Sequence, residues 1–240
     1  MSAALLLAAA VAGGGAFDAA PSGCAGPRTR AYYMMPTERY PHGALGDTLE
    51  WGGLVYDGEV YAGHVLTREF VFEDTEPRLA DFDGDCAPEV VVVESHETEG
   101  AQLAVYAIDR GRLLKIAATP HIGARFRWLA PAGIADFDRD GDLDVAFVRT
   151  PHLGGTLEFW GFAAGGLTRL GAVEGVTNHR FGDAAILGGA RDCGDGAEVV
   201  VADQEWGRTL AARLEDGAVS LRALAEDARP ETLARALACG

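Results

Sequence analysis

The chain has 240 residues and a formal net charge of −16, from 36 acidic residues against 20 Lys and Arg. It is 48% hydrophobic, which is too apolar for a disordered chain, and its length suits one ordinary domain. The acidic excess argues against nucleic acid and against an anionic membrane surface as partners, because both need clustered Lys and Arg. Soluble partners and cations are the classes that remain.

The first residues are typical of an export signal. An apolar run over 3–12 is followed by small residues, and cleavage is expected after Ala16. The run is shorter than the roughly 20 apolar residues of a membrane span, so no span is expected. We predict a signal peptide over 1–16, a single domain over 17–240, and a periplasmic, cell-surface or secreted protein. The alternative is a cytosolic tail, since no Lys or Arg precedes the run.

The four cysteines favour disulfides, because an even count is usual in exported chains. Pairing Cys24 with Cys239 would tie the two ends of the chain together. Cys86 and Cys193 stand in comparable acidic loops, so a bridge between them is a further hypothesis. Four cysteines allow three pairings, and the sequence does not choose among them.

A repeat of about 54 residues organises the chain. Apolar runs begin at Val90, Val145 and Val199, 55 and 54 residues apart, and each follows an acidic loop. A second strand, a turn and a third strand then follow each run at constant offsets. Residues 54–60 indicate a further hairpin with an Asp-Gly turn. The only predicted helix covers 230–238, where a proline stands at the start.

These units predict an all-β fold. Sheets of three or four strands expose their faces and edges, so they must stack or close radially. At this repeat length, radial closure gives a β-propeller of about four repeats with a short C-terminal helix. An open row of blades and a β-sandwich are the alternatives, and we expect a monomer.

The second acidic loop is the sharpest motif in the chain. Its carboxylates at positions 1, 3 and 5 converge when the backbone wraps around one point, and Gly141 at position 6 permits the left-handed turn. Oxygen-only, anionic ligands suit Ca²⁺. An EF-hand is excluded, because its twelfth position would be Phe147; an acidic turn without metal is the alternative. The predicted ligands are Asp136, Asp138, Asp140, Asp142 (through its carbonyl) and Asp144.

The first acidic loop repeats the pattern, so we predict one or two calcium ions in all. Cys86 stands where the second loop has glycine, and its Cβ raises the cost of the left-handed conformation. In the third loop, over 190–198, the carboxylates no longer alternate, and no metal is predicted there. The predicted ligands of the first loop are Asp81, Asp83, Asp85, Ala87 (through its carbonyl) and Glu89.

The pattern D-x-D-x-D-G-x-x-D before an apolar strand resembles the FG-GAP/VCBS repeat of bacterial exported proteins, which also builds the integrin α-subunit propeller. Phe181-Gly182, followed by 188–190, resembles the FG…GA part of that repeat, and 45–47 echoes it. The resemblance covers roughly 42–224. It implies a propeller with structural calcium in its inter-strand loops, and it names no activity.

The predicted function is a calcium-stabilised binding or scaffold module for a protein or carbohydrate ligand, and a binding role is favoured over an enzyme. The alternative is a hydrolase or lyase for polysaccharide or phosphoester, marked by an axial pocket with a carboxylate pair or a histidine cluster. A purely structural surface protein is the third hypothesis. His42, His121 and His179 precede FG-like segments and are interpreted as turn residues. Tryptophans are expected to fill wedges between blades, with sugar stacking as the alternative.

Overall fold

The computed structural model describes residues 29–163 and 165–240. The predicted export signal and Cys24 lie outside these residues. The described chain is all-β: antiparallel sheets with one short C-terminal helix. That helix, the only one among the described residues, falls well short of the length a membrane crossing requires.

The strands follow one another in the order that the repeat predicts. In chain order the elements are β1 (Arg30–Thr37), β2 (Glu50–Asp57), β3 (Tyr61–Val65), β4 (Phe70–Phe72), β5 (Arg78–Ala80), β6 (Glu89–His96), β7 (Gly100–Asp109), β8 (Arg112–Ala118), β9 (Leu129–Ala135), β10 (Asp144–Arg149), β11 (Thr156–Ala163), β12 (Gly166–Glu174), β13 (Val176–Thr177), β14 (Gly189–Asp192), β15 (Ala197–Asp203), β16 (Thr209–Glu215), β17 (Ala218–Ala225) and α1 (Pro230–Leu237).

The three repeat units are β5–β8, β9–β12 and β14–β17. Strands β6, β10 and β15 contain the three predicted apolar runs, and the predicted second and third strands follow each of them. In each unit a fourth strand precedes the acidic loop and pairs with the apolar strand across it. The predicted N-terminal hairpin is β2–β3, with Asp57 opposite Tyr61.

The N-terminal strands β1 to β4 share one continuous sheet with the first repeat unit. Strand β4 pairs with β2 on one side, where Trp51 lies opposite Phe72, and with β6 on the other, where Phe70 lies opposite His96. Strands β1 to β8 therefore form one eight-stranded sheet, followed by a four-stranded and a five-stranded sheet. Because β4 pairs with both β2 and β6, the N-terminal strands are hydrogen-bonded to the first repeat unit.

The apolar strands are buried on both faces. In β6, Val90 and Val92 pack among β2, β4 and β7, whereas Val91 and Val93 pack against the β9–β12 unit. The same alternation continues in β10, which faces β6 on one side and β15 on the other. This double burial explains the uninterrupted valine run, since a half-exposed strand would alternate with polar residues.

The last unit is covered by α1. Val200 in β15 faces away from the preceding unit and packs with Leu233 and Ala236 of the helix. The helix begins with Pro230 in its first turn, as predicted. The helix thus protects the outer face of the last sheet from solvent.

A disulfide between Cys193 and Cys239 joins the third acidic loop to the end of α1. Two of the sequence hypotheses are therefore wrong: Cys239 does not pair with Cys24, and Cys193 does not pair with Cys86. The physical reason is the docking of α1 on β15, which brings the chain end to the third loop.

The loop before β2 contacts the loop before β14. The Gly182 N–H donates a hydrogen bond of 2.9 Å to the Ala44 carbonyl oxygen. A Cβ on Gly46, whose φ is +92°, would lie 2.6 Å from the Gly182 carbonyl oxygen, so the approach requires glycine. The N-terminal strands and the last repeat unit thus meet through their loops.

A comparison of alanine substitutions at two glycines with similar backbone angles tests the packing of the loop between β8 and β9. Gly100 (φ +73°) and Gly111 (φ +76°) both stand in hairpins, but only a Cβ on Gly100 would overlap the carbonyl oxygens of Ala124 and Arg127. We expect Gly111→Ala to cost about 1–2 kcal/mol from the left-handed backbone alone. Gly100→Ala should cost a further ~1–3 kcal/mol from overpacking, measured by urea unfolding. Equal losses in the free energy of unfolding for the two variants would contradict the close contact at Gly100.

Glu50 predicts a pH dependence of stability. Burial, with the charges of Glu73 and Asp47 nearby, raises the pKa of Glu50 to about 9. The folded chain therefore holds a proton that the unfolded chain releases near pH 4, and stability falls as pH rises from about 5 to about 9, by at most ~1.4 kcal/mol per pH unit. Glu50→Gln should flatten this dependence in urea unfolding with EDTA present. An unchanged slope would contradict the assignment.

Candidate metal centre

The first acidic loop connects β5 to β6 and folds around its own carboxylates. The two Asp81 carboxylate oxygens accept hydrogen bonds from the N–H groups of Gly84 (2.9 Å) and Cys86 (3.1 Å). Glu89, at the start of β6, accepts one from the Phe82 N–H at 3.0 Å. The first and last carboxylates of the loop thus face the same turn.

The second loop, between β9 and β10, repeats this wrapping. Asp136 accepts a hydrogen bond from the Gly141 N–H at 3.1 Å. Asp144 accepts from the N–H groups of Phe137 (2.9 Å) and Asp138 (3.3 Å). In both loops position 1 therefore accepts from the position 6 N–H and position 9 from the position 2 N–H. The bond to position 4 occurs only in the first loop, and the bond to position 3 only in the second.

Both loops turn through left-handed residues at positions 4 and 6. These residues are Gly84 (φ +74°) and Cys86 (φ +68°) in the first loop, and Arg139 (φ +66°) and Gly141 (φ +98°) in the second. Cys86, which is disulfide-bonded, adopts the conformation that the sequence analysis considered costly for it. The missing glycine therefore does not prevent the first loop from wrapping.

Three carboxylates converge in each loop. At positions 1, 3 and 9, one oxygen of each side chain lies within 4.8 Å of the others. The position 5 carboxylates lie outside these groups and accept hydrogen bonds from the N–H at position 7. The converging residues are Asp81, Asp83 and Glu89 in the first loop and Asp136, Asp138 and Asp144 in the second, whereas Asp85 bonds Ala87 and Asp140 bonds Asp142.

The convergence is electrostatically costly. Burial raises the pKa of Glu89 to about 7, and the charges of Asp83 and Asp85 add to this shift. Burial likewise raises the pKa of Asp144 to about 7. Desolvated carboxylates at this spacing repel one another unless a cation offsets their charge. These loops therefore have the donor set and the charge deficit of a site for a hard divalent cation.

One atom of the second loop gives independent support for a cation site. The Asp136 Oδ1 atom is buried and has no hydrogen-bond partner among the described residues. Its other oxygen accepts from the Gly141 N–H, so only Oδ1 lacks a partner. A buried acceptor without a partner costs about 1–3 kcal/mol or more, and a coordinated cation would remove this cost.

In the third loop, arginines neutralise the equivalent carboxylate. Glu198 stands where Glu89 and Asp144 stand in the other loops, at the start of its apolar strand. It pairs with Arg191 at 2.5 Å, and two further arginines complete the cluster. Hydrogen bonds from these guanidinium groups lower the pKa of Glu198 against its burial. The protein itself therefore supplies positive charge at this loop; the other two arginines are Arg213 (3.0 Å) and Arg222 (3.1 Å).

A phenylalanine at position 2 anchors each acidic loop of the first two units. The ring of Phe82 packs against Phe162 in the following unit, with centroids 4.7 Å apart. Phe137 is buried between the second and third sheets and contacts Phe159 edge-on at 5.0 Å. The loop conformation is therefore linked to the packing between neighbouring units.

A cluster of histidines lies at the opposite ends of the strands, where the sequence favoured the interpretation of histidines as turn residues. His42 and His152 line one pocket there, and the His179 ring lies 2.8 Å from His152, measured between their nitrogens. His121 instead bonds the Gly100 carbonyl oxygen. The recurrence of Pro-His pairs was the available signal, but it does not show that histidines from distant loops meet.

Comparison with known proteins supports the repeat. Residues 81–147 match the model of a family described as an FG-GAP-like repeat. The match begins at the first acidic loop and ends in β10, after the second, so it contains both carboxylate clusters. No curated protein shows a significant match to this chain. The resemblance stated from the sequence is confirmed for this segment.

The contrast between loops predicts different effects of neutral substitutions. Asp144→Asn should weaken calcium binding at least ~10-fold, equivalent to about 1.4 kcal/mol, because it removes one of three converging charges. Glu198→Gln should leave calcium affinity unchanged and lower the unfolding temperature, because three guanidinium groups lose their carboxylate. Isothermal titration calorimetry and calorimetric melting measure the two effects. Equal calcium affinities for wild type and Asp144→Asn would contradict the site.

Proposed function

We propose that this chain is an exported binding or scaffold module whose repeat units are held by one or two calcium ions. The observation that carries the proposal is the buried, unpartnered Asp136 Oδ1 within a cluster of three converging carboxylates. The FG-GAP-like match over 81–147 supports a repeat of the binding type. Calcium is favoured over transition metals because every donor is an oxygen.

The proposed ligands are the residues predicted from the sequence. Positions 1, 3 and 9 supply the converging carboxylates, and positions 5 and 7 would complete the shell through a side chain and a backbone carbonyl. When bound, calcium supplies the positive charge that the third loop obtains from arginines. Each loop would then hold its two strands and its position 2 phenylalanine in one arrangement.

A ring of four units is part of the proposal. The N-terminal strands β1 to β4 would be the fourth unit. The support is their contact with the segment before the last unit, where Gly182 bonds Ala44 and the ring of Phe181 lies 5.8 Å from that of His42. Because α1 covers the outer face of the last sheet, the ring would close through loops instead of sheet-to-sheet packing. A pocket at this contact would then lie near the axis of the ring.

Export, a signal peptide over 1–16, a single domain over 17–240 and a monomeric state complete the proposal. The disulfide between Cys193 and Cys239 supports an oxidising compartment, since such bonds are rare in the cytosol. The proposed partner of the module is a protein or a carbohydrate. The net charge of −16 gives no reason to expect a nucleic acid.

A hydrolase or lyase is the second candidate function. One observation favours it: the His42 Nδ1 atom lies 2.5 Å from a Glu73 carboxylate oxygen at the wall of a pocket far from both acidic loops. Glu73 is fully buried behind the imidazole, so it orients His42 and does not itself reach a substrate. The geometry therefore supports ligand binding more directly than chemistry.

Calcium removal tests the proposed function. Adding calcium to the EDTA-treated protein at about 100 times its Kd should stabilise the fold by ~2.7 kcal/mol, which raises the melting temperature by several degrees. Magnesium at the same concentration should give a smaller shift, because it keeps more of its own water. Differential scanning calorimetry measures both shifts. An unchanged melting temperature on restoring calcium would contradict the proposal.

A further inference from the structure

We infer that the histidine-lined pocket binds one residue of a neutral sugar. This inference rests on the proposed role as a binding module and names its ligand class. The cavity measures about 220 Å³, smaller than the ~300–1,000 Å³ of pockets for drug-sized ligands. It therefore suits a single ring, and its main lining residues are His42, Phe126, Trp128, His152 and Phe181.

The pocket lies at the opposite end of the sheet from the metal centre. Strand β10 begins with the metal-loop residue Asp144 and ends at Arg149, just before the pocket residues Thr150 and His152. Six residues of strand span roughly 20 Å. The two sites therefore share strands but no side chains, and each can be removed without touching the other.

Segments distant in sequence form the walls and leave the rim open. His42 comes from the β1–β2 connection, Phe126 from the β8–β9 connection, and Phe181 from the β13–β14 connection. Phe181 and Leu153 are both 59% exposed at this rim. Large apolar side chains so exposed beside a polar cavity are typical of ligand sites.

His152 presents an unprotonated nitrogen. The His179 Nε2 atom lies 2.8 Å from the Asp183 carbonyl oxygen, which can only accept, so His179 Nε2 carries the hydrogen. The neutral His179 then accepts at Nδ1 from His152 Nε2, 2.8 Å away. This leaves His152 Nδ1 with a free lone pair. Burial lowers the pKa of His152 to about 4, so the ring stays neutral at pH 7.

His42 is fixed by a buried carboxylate. Glu73 bonds the His42 Nδ1 atom and accepts a hydrogen bond from the Ser95 hydroxyl with its other oxygen. The Trp128 indole N–H donates to the Glu73 backbone carbonyl at 2.8 Å. Because Nδ1 is occupied, Nε2 is the His42 nitrogen left for a ligand. Two imidazoles of fixed orientation thus line one cavity.

The backbone at the pocket wall is strained. Phe126 (φ +59°) and Thr150 (φ +48°) adopt the left-handed conformation, which is a genuine outlier for a β-branched residue. The Thr150 N–H is held by the Trp128 carbonyl oxygen at 2.9 Å. Such strain costs about 1–3 kcal/mol per residue and tends to occur at ligand sites. Both residues line the cavity, which supports a functional role for its shape.

The lining offers partners for both the C–H face and the hydroxyl groups of a neutral sugar. The C–H face of a pyranose packs on aromatic rings, and the exposed ring of Phe181 can receive it. The Phe126 ring is instead covered by His42, with centroids 5.1 Å apart, and by the Arg125 guanidinium, 4.5 Å from the ring centroid. The sugar hydroxyls can donate to the His152 lone pair and bond Thr150. Arg127 also lines the cavity, whereas the His152 lone pair repels an anion, so a charged sugar is the comparison that the test must include.

The test uses the whole calcium-loaded chain and a panel of glucose, galactose, mannose, fucose, N-acetylglucosamine and glucuronate. We expect at least one neutral sugar to give a saturation-transfer NMR signal with a millimolar Kd. His152→Phe keeps a ring but removes the lone pair, and Phe181→Ala removes an exposed ring; each should weaken binding at least ~10-fold. The matched control is Tyr61→Ala, which removes an aromatic ring that is 69% exposed elsewhere and should change nothing.

Three results would overturn the inference. They are no binding of any neutral sugar up to about 50 mM, equal binding by wild type and both pocket variants, or tighter binding of glucuronate than of glucose. The calcium titration is run on the same samples. Sugar binding without calcium binding would reject the metal site and keep the pocket. Calcium binding without sugar binding would reject the pocket and keep the metal site.

Discussion

The burial of one strand per repeat unit on both faces is the constraint on which the structure depends. Strands β6 and β10 give alternate side chains to the elements on their two sides, and β15 does so to the second unit and to α1, so no unit can bury its apolar surface alone. The first such strand also bonds β4, and the last is covered by α1. Because these strands are fixed by packing, their two ends are fixed as well, and both candidate sites lie at those ends.

A carboxylate stands at the start of each of these strands, and its surroundings differ between the units. In the third unit, guanidinium groups surround Glu198 and lower its pKa. In the first two, Glu89 and Asp144 are buried beside other carboxylates, and their pKa values rise to about 7. The same position in the repeat is therefore paired internally once, and twice it stands in a carboxylate cluster that could hold a metal ion. The difference between the units lies in their side chains. Arginines surround Glu198, whereas other carboxylates lie beside Glu89 and Asp144.

The opposite strand ends carry a different chemistry because different connections meet there. Loops on that side contribute His42, Phe126, His152 and Phe181, and a buried Glu73 fixes one of the imidazoles. The acidic end would give rigidity through a cation, while the aromatic end would hold a ligand. A scaffold that separates stability from recognition can vary its ligand without disturbing its metal loops.

The sequence by itself determined the strand order, the three repeat units, the helix at Pro230 and the converging ends of both acidic loops, because strand pattern and carboxylate spacing are local properties of the chain. It did not determine that β4 joins the N-terminal strands and the first repeat unit into one sheet, or that Cys193 pairs with Cys239. Nor did it show that His42 and His152, 110 residues apart by their numbers, line one pocket. Only the tertiary structure decided these features, since they arise where packing brings distant segments together.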